Sequence, residues 1–260
     1  MILLDYSQSA IAALMVQVNS NPKLKIEEDL IRHIVLNMIR SFNKQFKSKY
    51  KTMVICCDNR KYWRKSYFPQ YKAHRKKDRE ESDHDWTMIF ETLNKIRDEV
   101  QQHLPYKVLN IEGAEADDII AVLSAKYSPH EEILIISSDK DFVQLQKYDS
   151  VAQYSPFLKK FIKTSDPAAT VREHILRGDR GDGIPNFLSP DDVFVNGGRQ
   201  KPINNKKLVE WITADPNDFC TAEMLRGFKR NQMLVDFDYI PEAIRRRIVD
   251  SYDSTNPGSK

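Results

Sequence analysis

Cysteine is scarce, and the few present do not pair up. The chain has three, Cys56, Cys57 and Cys220. An odd count, with two adjacent in an apolar stretch, excludes a disulfide-stapled scaffold and predicts reduced core thiols in a reducing, cytoplasmic compartment. No Cys/His spacing has the form of a zinc site. No apolar run approaches the ~18 residues of a membrane-crossing helix, and the mean hydropathy is −0.56. The opening MILLDYSQ lacks a basic segment and meets Asp5 at once, which excludes a secretory signal. There is no internal repeat and no low-complexity tract. Nor does one charge dominate: 40 Lys and Arg stand against 37 Asp and Glu, a net charge of +3. With 41% hydrophobic and 30% charged residues over 260 positions, an ordinary globular chain is expected, as one large domain or two smaller ones.

The balanced total hides segregation. Basic residues gather at 60–79, 226–230 and 245–247, whereas acids gather where apolar runs end. The densest case is 115–142, EADDIIAVLSAKYSPHEEILIISSDKDF. Glu115, Asp117 and Asp118 open an amphipathic helical pattern over 119–127. The apolar run 133–136 is short and β-branched, which predicts a buried strand. Asp139 and Asp141 follow it directly. Two earlier apolar runs, 1–5 and 52–57, end in Asp5 and Asp58. In open α/β sheets functional groups lie beyond the carboxyl ends of the strands. Acids crowded there are costly unless some are protonated or a cation sits among them, and Mg²⁺ or Mn²⁺ suits an all-oxygen site. Taken singly, each acid reads as readily as a helix cap or a strand terminator.

Helical periodicity covers 9–18, 25–46 and 86–103, and a third strand is expected at 106–109. Residues 151–154 and 158–162 read as a hairpin or edge pair. This alternation predicts a mostly parallel, doubly wound sheet. From 166 the pattern turns helical, at 168–176, 206–211, 222–235 and 241–252, with a frayed tail over 253–260. Asp179 and Asp182, three apart in GDRGDGIP, share one side of any helical turn they make. Residues 59–83 break the pattern, with Lys and Arg interleaved among Tyr62, Trp63, Tyr67, Phe68 and Tyr71. Rings that stack on bases among cations that track phosphates suit single-stranded nucleic acid. A solvated basic loop is the plainer alternative. Either way a segment with so little apolar face is expected to be mobile without ligand. Among the histidines, His33 reads as structural and His74 as at most a phosphate contact.

LLDYSQ, VICCDN, FPQYKAHR, AEADD, SSDKDF and GDRGDGIP occur in the order found in the 5′-nuclease (flap endonuclease) superfamily, and the chain resembles it from Met1 to about Tyr252. The resemblance implies an α/β fold of PIN-like, 5′-nuclease type: a central, mostly parallel sheet flanked by helices. It implies a nuclease domain over 1–165 with a basic helical arch at about 60–84, and a helical duplex-binding domain over 166–260. Residue by residue it places Asp5, Asp58, Glu115, Asp117 and Asp139 on a first metal group and Asp141, Asp179 and Asp182 on a second. Asp139 lies between the two, and Asp118 falls on an outer position. Tyr71, Lys72 and Arg75 match arch residues that meet the 5′ region of the substrate, Lys72 and Arg75 with a catalytic role, and Arg64 matches a further phosphate contact. The family's Gly-rich, cation-binding hairpin is missing: 186–205 is longer, and Arg199, Lys201, Lys206 and Lys207 stand there as candidate duplex contacts. No clamp-binding peptide is evident.

The implied activity is a two-Mg²⁺ (or Mn²⁺) 5′→3′ exonuclease and flap endonuclease acting on flapped DNA and on RNA in RNA–DNA hybrids. Its implied setting is primer removal in phage replication, in the host cytoplasm, as a monomer beside a single-stranded-DNA-binding protein or other replisome components. Two alternatives compete: an inactive nucleic-acid-binding module of the same fold, and a phosphotransfer enzyme whose DxD is in SSDKDF. The second leaves Asp5, Asp58 and GDRGD unexplained. A phosphatase with an aspartyl nucleophile would need DxD at the first strand, where LLDYSQ has none.

Overall fold

The computed structural model describes residues 1–21 and 23–258. In chain order its elements are β1 (Ile2–Asp5), α1 (Tyr6–Ser20), α2 (Glu28–Tyr50), β2 (Met53–Cys57), α3 (Trp63–Tyr67), α4 (Arg75–Glu80), α5 (Trp86–His103), β3 (Lys107–Asn110), α6 (Ala116–Tyr127), β4 (Ile133–Ile136), β5 (Val151–Ser155), β6 (Lys160–Ile162), α7 (Pro167–Arg177), α8 (Asn205–Thr213), α9 (Pro216–Phe219), α10 (Ala222–Val235) and α11 (Glu242–Ser254). Tight 3₁₀ turns lie at Lys140–Lys147, Arg180–Asp182 and Phe237–Tyr239.

Among the described residues the strands form one sheet in the order β3-β2-β1-β4-β5-β6. All neighbours run parallel except β6, which returns antiparallel along β5. Every residue of β1, β2 and β4 is buried, the mark of parallel strands covered on both faces. From β1 the chain builds outward to β3 on one side, then comes back to place β4 on the other. The connections therefore part between β1 and β4, and at such a switch point the crevice beyond the strand ends is open to a ligand.

The chain packs into two compact units. The first holds Met1–Arg60, Asp83–Lys163 and the residues from Ala243 on. Its core runs through Leu4, Leu14, Ile31, Ile55, Ile89, Ile96 and Ile136. The second holds Lys61–Ser82 and Thr164–Glu242, around Phe68, Tyr71, Ile175, Leu176, Phe187, Leu208, Phe228 and Leu234. A division by chain order at residue 165 thus differs from the packing at both ends: the basic segment lies with the helices, and α11 lies with the sheet. The reason for the latter is burial, since Ile248 is fully enclosed and Lys107 Nζ donates to the Tyr252 carbonyl at 2.8 Å.

Most expected elements are present, and α5 and α10 keep the expected boundaries. The helices start where caps allow: Asp85, Asp166 and Thr221 each accept the backbone N–H three residues on. Cys56 and Cys57 are buried in β2, and burial pushes both thiols up. Of the expected frayed tail, 253 and 254 end α11, and Ser259 and Lys260 lie outside the described residues. The segment 59–83 contributes to packing unevenly. Phe68 and Tyr71 are buried in the second core, while α4 buries nothing.

Candidate functional site

The first unit gathers its acids at the switch point. Asp5 ends β1 and caps α1, with its carboxylate accepting the Gln8 amide. It is 4% exposed, and Ser137 Oγ, just past β4, donates to its Oδ2 at 2.9 Å. Burial first, then the charges of Asp58 and Asp139, push the Asp5 carboxyl up to about 8. Asp58, just past β2, and Asp139, three residues past β4, are thus within electrostatic reach of Asp5.

Local bonds set each of the other acids. Asp58 follows β2 and accepts the Ala116 N–H at 2.9 Å, so the start of α6 is fixed against it. Glu115 caps α6 and is 2% exposed. Asp118, fully buried, completes a capping box by accepting the Glu115 N–H at 2.9 Å. Asp118 is therefore a cap, whereas Asp117 next to it is half-buried in the first turn. Asp139 accepts the Asp141 N–H at 2.9 Å and opens the 3₁₀ turn at Lys140. Sequence reasoning missed two supports here. Ser137 lies inside SSDKDF but its bond to Asp5 leaves no pattern. Gln153, fully buried, donates to the Ser137 and Asp139 carbonyls at 3.1 and 2.7 Å. A glutamine in the buried register of β5 was the available signal.

In the second unit Asp179 caps the 3₁₀ turn that ends in Asp182, its Oδ1 accepting the Asp182 N–H at 3.2 Å. His174, also unmarked by any motif, lies 3.0 Å from Asp179 Oδ2 through Nε2. Asp182 is surrounded by the basic segment: Tyr71 Oη donates at 2.8 Å, Arg75 Nη2 at 2.5 Å, and Lys72 Nζ lies 3.6 Å away. Lys72 takes a left-handed backbone, φ 54, and its N–H donates to the Asp182 carbonyl at 2.8 Å. Gly183, φ 72, follows, where a Cβ would crowd the Gln70 carbonyl and the His74 ring.

Two expected substrate contacts lie buried. Arg64, expected at a phosphate, is 2% exposed, donates through Nε to the Leu234 carbonyl and lies over the Trp63 ring. Its guanidinium supports packing. Tyr71, expected to stack on a base, is 2% exposed, edge-on to Tyr62, with its hydroxyl on Asp182. Its ring supplies core, which is also why the segment folds. Arg199, Lys206 and Lys207, the candidate duplex contacts, are exposed, the last two in the first turn of α8 under the Asn204 cap.

Acids collected at the switch point of a doubly wound sheet, in a chain that also carries a basic aromatic segment, belong to the chemistry of phosphodiester nucleases. The chain is a member of the 5′-3′ exonuclease family: residues 8–175 match the 5′-3′ exonuclease N-terminal resolvase-like domain, and 166–260 match the T4 RNase H C-terminal domain. Ribonuclease H of Enterobacteria phage T4 is 39% identical over 97% of this chain and 86% of its own length. Flap endonuclease Xni of Aliivibrio fischeri is 32% identical over 45% of this chain and 44% of its own length. Among solved structures, a T5 5′-exonuclease with bound zinc superposes with a TM-score of 0.69 at 16% identity, covering 98% of this chain and 99% of that one. A T5 flap endonuclease with DNA and metal ions superposes at 0.67 and 17% identity, covering 97% and 99%. These structural likenesses are of fold. The family sets aside the DxD phosphotransfer and phosphatase readings, and the chain is a nuclease.

Proposed function

We propose that the chain is a divalent-metal-dependent 5′→3′ exonuclease and flap endonuclease, cutting near 5′ ends of DNA and of RNA in RNA–DNA hybrids, and that it removes RNA primers in phage DNA replication. The observation that carries this reading is the buried Asp5 beside Asp58 and Asp139, with a carboxyl held near 8. An enclosed carboxyl within electrostatic reach of two other strand-end acids fits a site for a cation. The T5 flap endonuclease solved with DNA and metal ions, and the name of the T4 relative, support the substrate class.

In this reading Asp5, Asp58, Glu115, Asp117 and Asp139 hold one Mg²⁺, or Mn²⁺ in its place. Asp179 and Asp182 of the second unit would hold a second ion. Bound divalent ions supply a water of lowered pKa and offset charge on the phosphoryl oxygens. The protein's own residues do the rest. Ser137 and Gln153 fix Asp5 and Asp139. Asp182 holds Lys72 and Arg75 beside it, and those two side chains would neutralise charge on the phosphate. Arg199, Lys206 and Lys207 track duplex backbone.

The test is direct. Incubation with 5′-labelled flap and RNA–DNA hybrid substrates should release short 5′ products with Mg²⁺ and none with EDTA. Asp139→Asn should abolish cutting while leaving substrate binding largely intact. Equal cutting in EDTA, or an Asp139→Asn enzyme that loses binding but keeps its turnover, would refute the proposal.

A further inference from the structure

In the second unit the loop that carries Asp179 and Asp182 is tied at its base by a side chain that no motif marks. The loop leaves α7 after its last turn, which holds Ile175 and Leu176, and comes back through Pro185 to Phe187. Its neck is closed by backbone bonds. Asp179 and Ile184 exchange N–H···O bonds of 2.8 and 2.7 Å, and the Phe187 N–H donates to the Leu176 carbonyl at 3.1 Å. Gly178, φ 68, permits the outgoing turn, since a Cβ there would collide with the Ile184 carbonyl.

Beneath the neck lies α10. Gly227, Arg230 and Asn231 stand at i, i+3 and i+4, so they share one face. Gly227 lets the helix approach the Phe187 carbonyl, which any side chain would meet. Asn231 is wholly buried. Its Nδ2 donates to the Ile175 carbonyl on the outgoing limb and to the Pro185 carbonyl on the returning limb, each at 2.8 Å. Its Oδ1 accepts Arg230 Nε at 2.9 Å, which fixes which way the amide faces. Arg230, 5% exposed, holds the returning limb through the Pro185 and Asn186 carbonyls at 2.9 and 3.1 Å and is itself held by Asp191 at 2.5 Å. Thus Arg230 fastens one limb to α10, while Asn231 joins the two.

We propose that Asn231 is a positioning residue for the acids of this loop. By setting the separation of the two limbs, it sets the spacing of the Asp179 and Asp182 carboxylates that the loop presents. The inference rests on the reading that these two acids hold a divalent ion. Such ions accept only narrow ligand geometry, so a support one shell back changes affinity without touching the ion. The side chain is fitted to this. One NH₂ supplies two donors at a fixed angle, so both limb carbonyls are met by one rigid group. An apolar residue leaves the Ile175 carbonyl buried and unmet, and an aspartate sets a charge against two carbonyl oxygens.

The experiment uses the full chain. Mn²⁺ is titrated calorimetrically, without nucleic acid, into the parent protein and into Asn231→Ala, Asn231→Ser, Asp182→Asn and Leu208→Ala. Leu208 is buried in the same core and touches neither acid in this scheme. Asn231→Ala should weaken ion binding about tenfold and raise the Mg²⁺ concentration for half-maximal cutting by a similar factor. KM for the flap substrate at saturating Mg²⁺ should stay within about twofold of the parent. Leu208→Ala should lower Tm and leave ion binding alone. Asn231→Ser keeps one donor and should fall between, and it serves as the variant if Asn231→Ala does not fold. Asn231 variants that lose Tm but bind Mn²⁺ like the parent, while Asp182→Asn weakens binding, overturn the positioning role and leave the metal reading intact. An Asp182→Asn protein that also binds like the parent overturns both.

Discussion

Asp5 shows what enclosure does to a single carboxyl group in this protein. Its folded-state value is about 8, against an ordinary value of 3.8. Between these values the folded, metal-free chain keeps a proton that the unfolded chain has released. Metal-free stability should therefore fall as pH rises across that window, and the loss is complete once pH passes the folded value. A cation competes for the ionised form, so the rise in Tm on adding Mg²⁺ should be larger at pH 8 than at pH 6. Thermal unfolding with EDTA and with Mg²⁺ at both pH values checks this. A Tm gain that is the same at both would show that Asp5 does not feel the ion. Asp5 and Asp118 are both enclosed and both accept a backbone N–H, from Gln8 and Glu115, and the charges of Asp58 and Asp139 are what further raise Asp5.

At the scale of elements, α10 decides between two opposing effects. Gly227 sits mid-helix, where alanine is intrinsically better by about 1 kcal/mol. Its missing side chain is what admits the Phe187 carbonyl, and the surrounding residues are packed. Overpacking of this kind costs about 1–3 kcal/mol, so the collision should win. Gly227→Ala is expected to lower stability by about 1–2 kcal/mol, read as a lower urea midpoint with unchanged slope. A stabilised variant would mean that the carbonyl yields. The basic segment makes the same point in reverse. Its aromatics, read as base-stacking groups, turn out to fill core at Phe68 and Tyr71, because a ring next to cations has two uses and only packing chooses between them.

For the molecule as a whole, the chain end matters to the sheet. Ile244 and Ile248 of α11 are buried, Arg247 Nη1 donates to the Glu112 carbonyl at 2.6 Å, and Tyr127 Oη donates to Asp253 at 3.0 Å. Burying each isoleucine contributes about 1.5–3 kcal/mol. A chain stopped after Glu242 should therefore lose about 3 kcal/mol or more from the first unit, seen as a fall in Tm of about 6 °C or more. A truncated chain that melts with the parent would show that α11 adds nothing to the sheet.

The sequence by itself determined the elements and their kind. Short apolar runs that end in or run up to Asp5, Asp58 and Asp139 predict buried strands of a wound sheet, since period and length are local properties. It also determined which acids were candidates, because their types and order are written in the chain. Tertiary structure decided which strands adjoin, and so that β1 and β4 flank the switch point. It decided that Asp5 is enclosed beside Asp58 and Asp139. It placed Tyr71 and Arg64 in the core, and set Ser137, Gln153, His174 and Asn231 beneath the acids. Those roles depend on partners about 5 to 130 residues away in the chain, and no spacing rule reaches that far: a buried polar side chain acquires its purpose only from the groups that folding sets against it.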